Sequence, residues 1–332
     1  MKLSVLDQSV SCAGRSEDDA LRDTLSLAVD CEALGYHRFW VSEHHSLPTI
    51  VGSAPEILMA AIAARTTRIR IGSAGVMLPH YAALKVAEQF RVLDALAPGR
   101  IDLGVGRAPG GDMRTAMALN PNASHAADAF PQQVVDLRAW TTGQRHQGIW
   151  AHPRPPAGSE RAPEIWILGS SNYGAQLAAH LGLPYAFAYF FTDGQGCEQA
   201  LALYRSLYRP SERHPVPQAT ICVWALAADS RAEAQHQALS RDRWRLDRQR
   251  GLLGPLRTPA SIAEQGFSAE ELPAVQATQA KALVGTADEV AAQLRALAAQ
   301  FELDELVVNT WAHDPAVRRR SYALLAQAFA LG

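Results

Sequence analysis

One feature constrains this 332-residue chain more than any other: short β-branched or apolar runs alternate with longer stretches whose apolar residues recur at helical spacing. The runs are Leu3–Leu6, Arg38–Ser42, Ile69–Met77, Ile101–Val105, Ile165–Leu168, Tyr185–Tyr189, Thr220–Leu226 and Glu305–Asn309, each closed by a turn containing Gly, Pro, Asn or Asp. Helical patterns follow at 16–34, 55–66, 82–96, 124–142, 172–181, 197–208, 230–250 and 314–330, with a further one at 286–300. Eight βα repeats predict an α/β fold of the closed (β/α)8 kind, a TIM barrel. A doubly wound open sheet uses the same units and is the competing architecture, but the count of eight favours the barrel.

The repeats span residues 1–332 as a single domain, and two insertions break their rhythm. After the fourth strand and its helix, residues 143–163 are long and proline-rich. Between the seventh and eighth strands, residues 251–283 carry Gly251, Gly254, Pro255, Pro259, Gly266 and Pro273, too many breakers for one helix. A segment there would sit at the barrel mouth, as a candidate mobile lid or as mere surface decoration. The end of the preceding helix, Arg241, Arg243, Arg245, Arg248 and Arg250 interleaved with Asp242 and Asp247, reads as a solvated, salt-bridged face.

Composition narrows the function. With 48% hydrophobic and 19% charged residues the chain can bury a large core, and 31 basic against 33 acidic residues leave a net charge of −2. There is thus no basic field to hold nucleic acid or an anionic membrane. Asp7 interrupts any signal-peptide core, no apolar run reaches the ~20 residues of a membrane span, and a cytoplasmic location is expected. Cys12, Cys31, Cys197 and Cys222 lack CxxC spacing and read as buried or incidental thiols.

Candidate chemistry clusters at the C-terminal ends of the strand runs. In Arg38-Phe39-Trp40-Val41-Ser42-Glu43-His44-His45, alternation puts Phe39 and Val41 on the helix-facing side and Ser42 and His44 on the inner side. His44 is therefore the acid/base candidate, its rival role being a hydrogen bond to a neighbouring loop. Glu43, His44 and His45 could ligate a metal, but adjacent residues diverge to opposite faces and no His-x-His pair is present, so no metal site is assigned. Gly72–Gly75 on the third strand leave room for a flat ring, or for tight packing between strands. The segment Gly104–Asp112 imitates a dinucleotide fingerprint, but Pro109 stands where the third glycine belongs. What it does offer is Arg107, a cation suited to an anionic group. Gly169-Ser170-Ser171 runs into a helix whose N-terminus could take a phosphate, although an ordinary serine cap explains the same letters.

Taken together, Phe39–His45, Thr66–Pro79, Ala87–Asp94 with Pro98-Gly99-Arg100, and Gly169–Ser171 resemble the bacterial luciferase-like flavin monooxygenases over nearly the whole chain. The resemblance implies a (β/α)8 barrel that binds reduced FMN (FMNH2) at its C-terminal mouth and uses O2 on a small-molecule substrate, with a separate flavin reductase as supplier. By similarity His44 matches the catalytic histidine, the Ala74-Gly75 bond falls where a non-proline cis peptide faces the flavin ring, and Arg107, Ser170, Ser171 and Gly174 would hold the phosphate. A homodimer is expected on the same basis. Gly106 stands where luciferase has a cysteine beside the flavin, so light emission is not implied. Two rivals share the fold: an F420-dependent hydride-transfer enzyme and a non-catalytic flavin-binding protein.

Overall fold

A computed structural model describes residues 1–108 and 111–332. Its strands are β1 (Lys2–Asp7), β2 (Arg38–Val41), β3 (Arg70–Met77), β4 (Ile101–Gly106), β5 (Glu164–Gly169), β6 (Tyr185–Phe187), β7 (Ala219–Ala228), β8 (Leu283–Thr286) and β9 (Glu305–Asn309). The helices are α1 (Glu17–Ala33), α2 (Pro55–Ala63), α3 (Ala83–Leu96), α4 (Met113–Leu119), α5 (Ala123–Ala126), α6 (Phe130–Thr141), α7 (Asn172–Leu181), α8 (Tyr189–Thr192), α9 (Cys197–Leu207), α10 (Arg231–Gln249), α11 (Pro259–Gln265), α12 (Leu272–Gln279), α13 (Ala287–Gln300) and α14 (Pro315–Phe329). The strand order β6-β5-β4-β3-β2-β1-β9-β7-β8, with a further pairing of β6 to β7, is that of a closed eight-stranded parallel barrel, the (β/α)8 fold. β8 is a ninth strand, which pairs with the far end of β7 and was not expected from the sequence.

By compactness the chain falls into two units, Arg38–Ser46 with Ser53–Ile221, and Met1–His37 with Leu47–Gly52 and Cys222–Gly332. In the first, Trp40, Gly72, Asp102 and Glu164 lie in register across β2 to β5. A Cβ on Gly72 would run into the Trp40 indole and Asp102, so this glycine answers to packing and not to a ligand. Around it is a buried charge cluster. Arg38 Nη1 donates to Asp102 Oδ2 (2.9 Å) and Glu164 Oε2 (2.7 Å), Trp40 Nε1 donates to Asp102 Oδ2 (2.9 Å), and Arg70 also pairs with Asp102. Burial pushes the Glu164 carboxyl up, but the charges of Arg38 and Arg70 outweigh it and bring it down to about 2.

In the second unit the arginine-dense helix end departs from expectation. Arg241, Asp242 and Arg243 are buried, with Arg241 stacked on the Trp224 ring at 3.8 Å, and only the last turn, from Arg248, is exposed. The burial follows from residues 251–283, which form α11 and α12 and pack on α10 where the breakers had suggested irregular chain. Glu271 accepts from Arg243 (3.0 Å) and Arg250 (2.6 Å), and Gln279 donates to Asp242 (2.7 Å). In the first unit the predicted helix at 124–142 is split, because Pro131 lacks an N–H and can enter only in the first turn, where it starts α6. All four cysteines are buried free thiols. No helix among the described residues is long and apolar enough to cross a membrane.

Candidate active site

Every residue singled out as catalytic or cofactor-binding lies in the unit that contains β2 to β6. The β2–β3 ladder runs from Arg38 opposite Arg70 to Val41 opposite Ser73 and stops there. Beyond it, residues 42–45 leave the strand, and their side chains pair two positions apart. His44 Nδ1 lies 3.3 Å from Ser42 Oγ on one side, while His45 Nε2 reaches Glu43 Oε1 at 2.8 Å on the other. The two histidines therefore meet different partners. Among the described residues no group of three or more His, Cys, Asp or Glu side chains is placed to hold a metal ion.

On β3 the Ala74–Gly75 peptide is cis. The β3–β4 register shifts between Ser73 and Val76, and there Ala74 and Gly75 are half-buried while Ser73 and Val76 on either side are buried. A Cβ on Gly75 would strike the Leu168 side chain and the Gly104 backbone, and one on Gly104 would strike the Ser73 carbonyl. These glycines let the ends of β3, β4 and β5 close on one another, and the opening is left at Ala74–Gly75. Leu168 beneath it lies two residues before Ser170, so the cis segment and the Gly/Ser loop are neighbours.

That loop ends in α7, whose N-cap residue Ser171 makes no capping hydrogen bond, so its hydroxyl and the first amides of the helix are free of the usual internal partner. Ser170 is half-buried, Ser171 is exposed, and the space a Gly174 side chain would need is bordered by the Tyr185 ring at 3.3 Å. Gly174 thus seats α7 on the end of β5, a packing role beside any cofactor role. The exposed Arg107 guanidinium lies 4.1 Å over the Tyr173 ring, which brings this cation to the first turn of the helix. Pro109 and Gly110 of the glycine-rich segment lie outside the described residues.

Sequence reasoning missed Tyr173, Leu168 and the hub at Glu43. The Glu43 side chain is 1% exposed, and it accepts from the Tyr81 hydroxyl (2.7 Å), the Met77 amide (3.1 Å) and His45. Its signal was legible: a carboxylate on the same strand face as the core residues Phe39 and Val41 needs buried donors. The Arg107–Tyr173 stack had none, because the two residues are 66 positions apart and no periodicity links them.

The donor set, an arginine, two serine hydroxyls and open helix amides, suits a phosphate monoester, and the half-open Ala74–Gly75 segment beside it leaves a backbone surface for a flat ring. A family profile described as luciferase-like monooxygenase matches residues 1–303. A luciferase-like monooxygenase of Escherichia coli K12 is 40% identical over 321 residues, covering 97% of this chain and 95% of that one. N-acetyl-S-alkylcysteine monooxygenase of Bacillus subtilis 168 is 36% identical over 338 residues, covering 99% and 98%. The crystal structure of apo-MsnO8 superposes with a TM-score of 0.89 at 36% identity, over 100% of this chain and 99% of that one. Two more distant structures share the fold: the oxygenating constituent of 3,6-diketocamphane monooxygenase from Pseudomonas putida in complex with FMN (TM-score 0.71, 19% identity, 98% and 97% covered) and an F420-dependent secondary alcohol dehydrogenase (TM-score 0.65, 13% identity, 98% of each).

Proposed function

The chain belongs to the luciferase-like monooxygenase family of oxidoreductases, and from that premise we propose that it is a flavin-dependent monooxygenase that takes reduced FMN and O2 to a small organic substrate. The observation that carries this reading is the Arg107–Tyr173 stack at the uncapped start of α7, next to the half-open Ala74–Gly75 segment. Arg107, Ser170, Ser171 and the first amides of α7 would hold the phosphate; Ala74 and Gly75 would carry the ring. Bound reduced flavin supplies the electrons that activate O2, the hard chemistry that the protein itself lacks. The protein's share is to orient the ring, to keep water out, and to hold or move a proton at the His44 imidazole, whose Nδ1 is near Ser42 Oγ.

A separate reductase would deliver the reduced flavin, and the working form would be a cytoplasmic homodimer. Residues 251–283 would act as the lid, with α11 and α12 as its rigid parts.

Anaerobic titration with reduced FMN and, in parallel, with F420, followed by mixing with oxygen, tests the reading. Binding of reduced FMN with a delayed appearance of oxidised flavin, and a shorter delay in His44→Ala, is expected. Binding of F420 in preference to FMN would replace the reading with hydride transfer. FMN binding followed by immediate reoxidation, unchanged in His44→Ala, would leave a flavin carrier without turnover.

A further inference from the structure

We propose that Glu43 is a positioning residue that sets His44 against the Ala74–Gly75 segment; the proposal rests on the reading of those residues as the cofactor face. The need for such a device is visible in the backbone. The ladder that fixes β2 to β3 ends at Val41 and Ser73, and β3 then breaks register with β4 through Ala74 and Gly75. His44 and the cis segment both lie past the last shared backbone pairing of their strands, where no ladder sets one against the other.

Glu43 takes over at that point. Oε2 accepts from the Met77 amide at the end of β3 (3.1 Å), and Oε1 accepts from the Tyr81 hydroxyl in the segment that follows (2.7 Å). Oε1 also lies 2.8 Å from His45 Nε2, in the same loop as Glu43 itself. Burial and the neighbouring Glu43 both push the Tyr81 phenol up, so it stays protonated and donates at every working pH. The residues before and after His44 are thus held by one carboxylate, and that carboxylate is anchored to the far end of the cis segment. With Glu43 and His45 tied to each other, the His44 side chain between them has a different neighbour, Ser42 Oγ, which lies beside its ring. Glu43 itself is too deeply buried to touch a substrate, so its influence passes through His44.

Two measurements test this, and the first needs no cofactor. In hydrogen–deuterium exchange on the intact chain, Glu43→Ala should raise exchange at the Met77 amide by roughly tenfold or more, the usual effect of removing a buried charged acceptor. Residues 70–73, held by the ladder, should stay protected. Glu43→Gln keeps an oxygen for Met77 and an amide that can meet Tyr81 and the other tautomer of His45, so it should bring exchange back to within about threefold of wild type. Unchanged exchange at Met77 in Glu43→Ala would overturn the clamp. Should Glu43→Ala not fold, Tyr81→Phe removes one donor from the same carboxylate and should loosen Met77 in the same direction.

The second measurement is a double-mutant cycle of Glu43→Ala, or Tyr81→Phe, with His44→Ala, read as the rate at which protein-bound reduced FMN is reoxidised. If Glu43 acts through His44, its substitution changes the rate in wild type and adds nothing once His44 is gone. Equal effects in both backgrounds would overturn the positioning role. Failure of the wild-type chain to bind FMN would instead sink the functional reading, and the exchange experiment would still decide whether Glu43 holds the end of β3.

Discussion

Arg107 is exposed, and exposed arginines usually spend their entropy in solvent; stacking on Tyr173 is what makes this one a fixed charge. Removing the charge should cost more than removing its platform. Arg107→Ala is expected to weaken FMN binding roughly 10- to 100-fold, as for loss of a charge-assisted hydrogen bond, and Tyr173→Leu about two- to fivefold. Flavin fluorescence titration reads both, and equal losses would mean that Arg107 does not meet the phosphate. At the other end of the same unit, Glu164 makes a prediction about acid. Despite burial, its folded carboxyl is held down at about 2 by the charges of Arg38 and Arg70, below its ordinary value of 4.5, so the unfolded chain takes up the proton first. The stabilisation is therefore complete above the ordinary carboxylate range and drains away as the pH falls from 4.5 toward about 2. Urea midpoints followed from neutral pH into this range should drop for wild type, whereas Glu164→Gln should start lower, with Arg38 missing a charged partner, and fall less steeply.

At the level of elements, glycine positions divide by cause. A methyl group at Gly104 has nowhere to go except into the Ser73 carbonyl, so Gly104→Ala should lower stability by about 1–3 kcal/mol and disturb the end of β3, measurable as a lower urea midpoint together with weaker FMN binding. Thr286 offers a milder control. It caps α13 in a reciprocal pair with Glu289, and Thr286→Ala should cost about 1 kcal/mol and leave FMN binding unchanged. The barrel was legible because period-2 and period-3.6 patterns survive in the order of residues, and His44 could be named as a candidate because alternation continued past Val41 would set it on the face opposite Glu43 and His45. Arg107 and the Gly169–Ser171 loop could be named from strand ends, but their meeting through Tyr173 could not, since it depends on how β4 and β5 are paired. The glycines of β3 left two readings open in sequence. Gly72 is packed against Trp40 and Asp102 and Gly75 against Leu168 and Gly104, so both answer to packing, and what sets Ala74 and Gly75 apart is that they are half-buried where Gly72 is buried. The buried arginines of α10 misled for a related reason, because the helices that cover them come from a stretch whose prolines and glycines read as breaks. In fact Pro259 and Pro273 sit in the first turns of α11 and α12, where proline is at home.

For the whole molecule, the lid reading carries a prediction of its own. The chain should be cut by a nonspecific protease first between 250 and 283, and bound FMN should slow that cleavage; equal rates with and without FMN would leave this segment a fixed part of the barrel wall. Its end has a further consequence. β7 runs for ten residues while β6 has only three to pair with it, and the last four residues of β7, Ala225 to Ala228, are buried and apolar. Ala225 O and the Ala227 amide already meet Thr310 Oγ1 and Ser321 Oγ, but left bare the rest of that edge would present open backbone groups along an apolar ribbon, the kind of surface on which a second chain adds itself as a strand. Leu283–Thr286 occupies that edge. The strand that follows the insertion therefore finishes this edge, and a shortened barrel lacking residues 251–286 would be expected to gain a sticky seam there, read as aggregation at concentrations where the full chain stays dispersed.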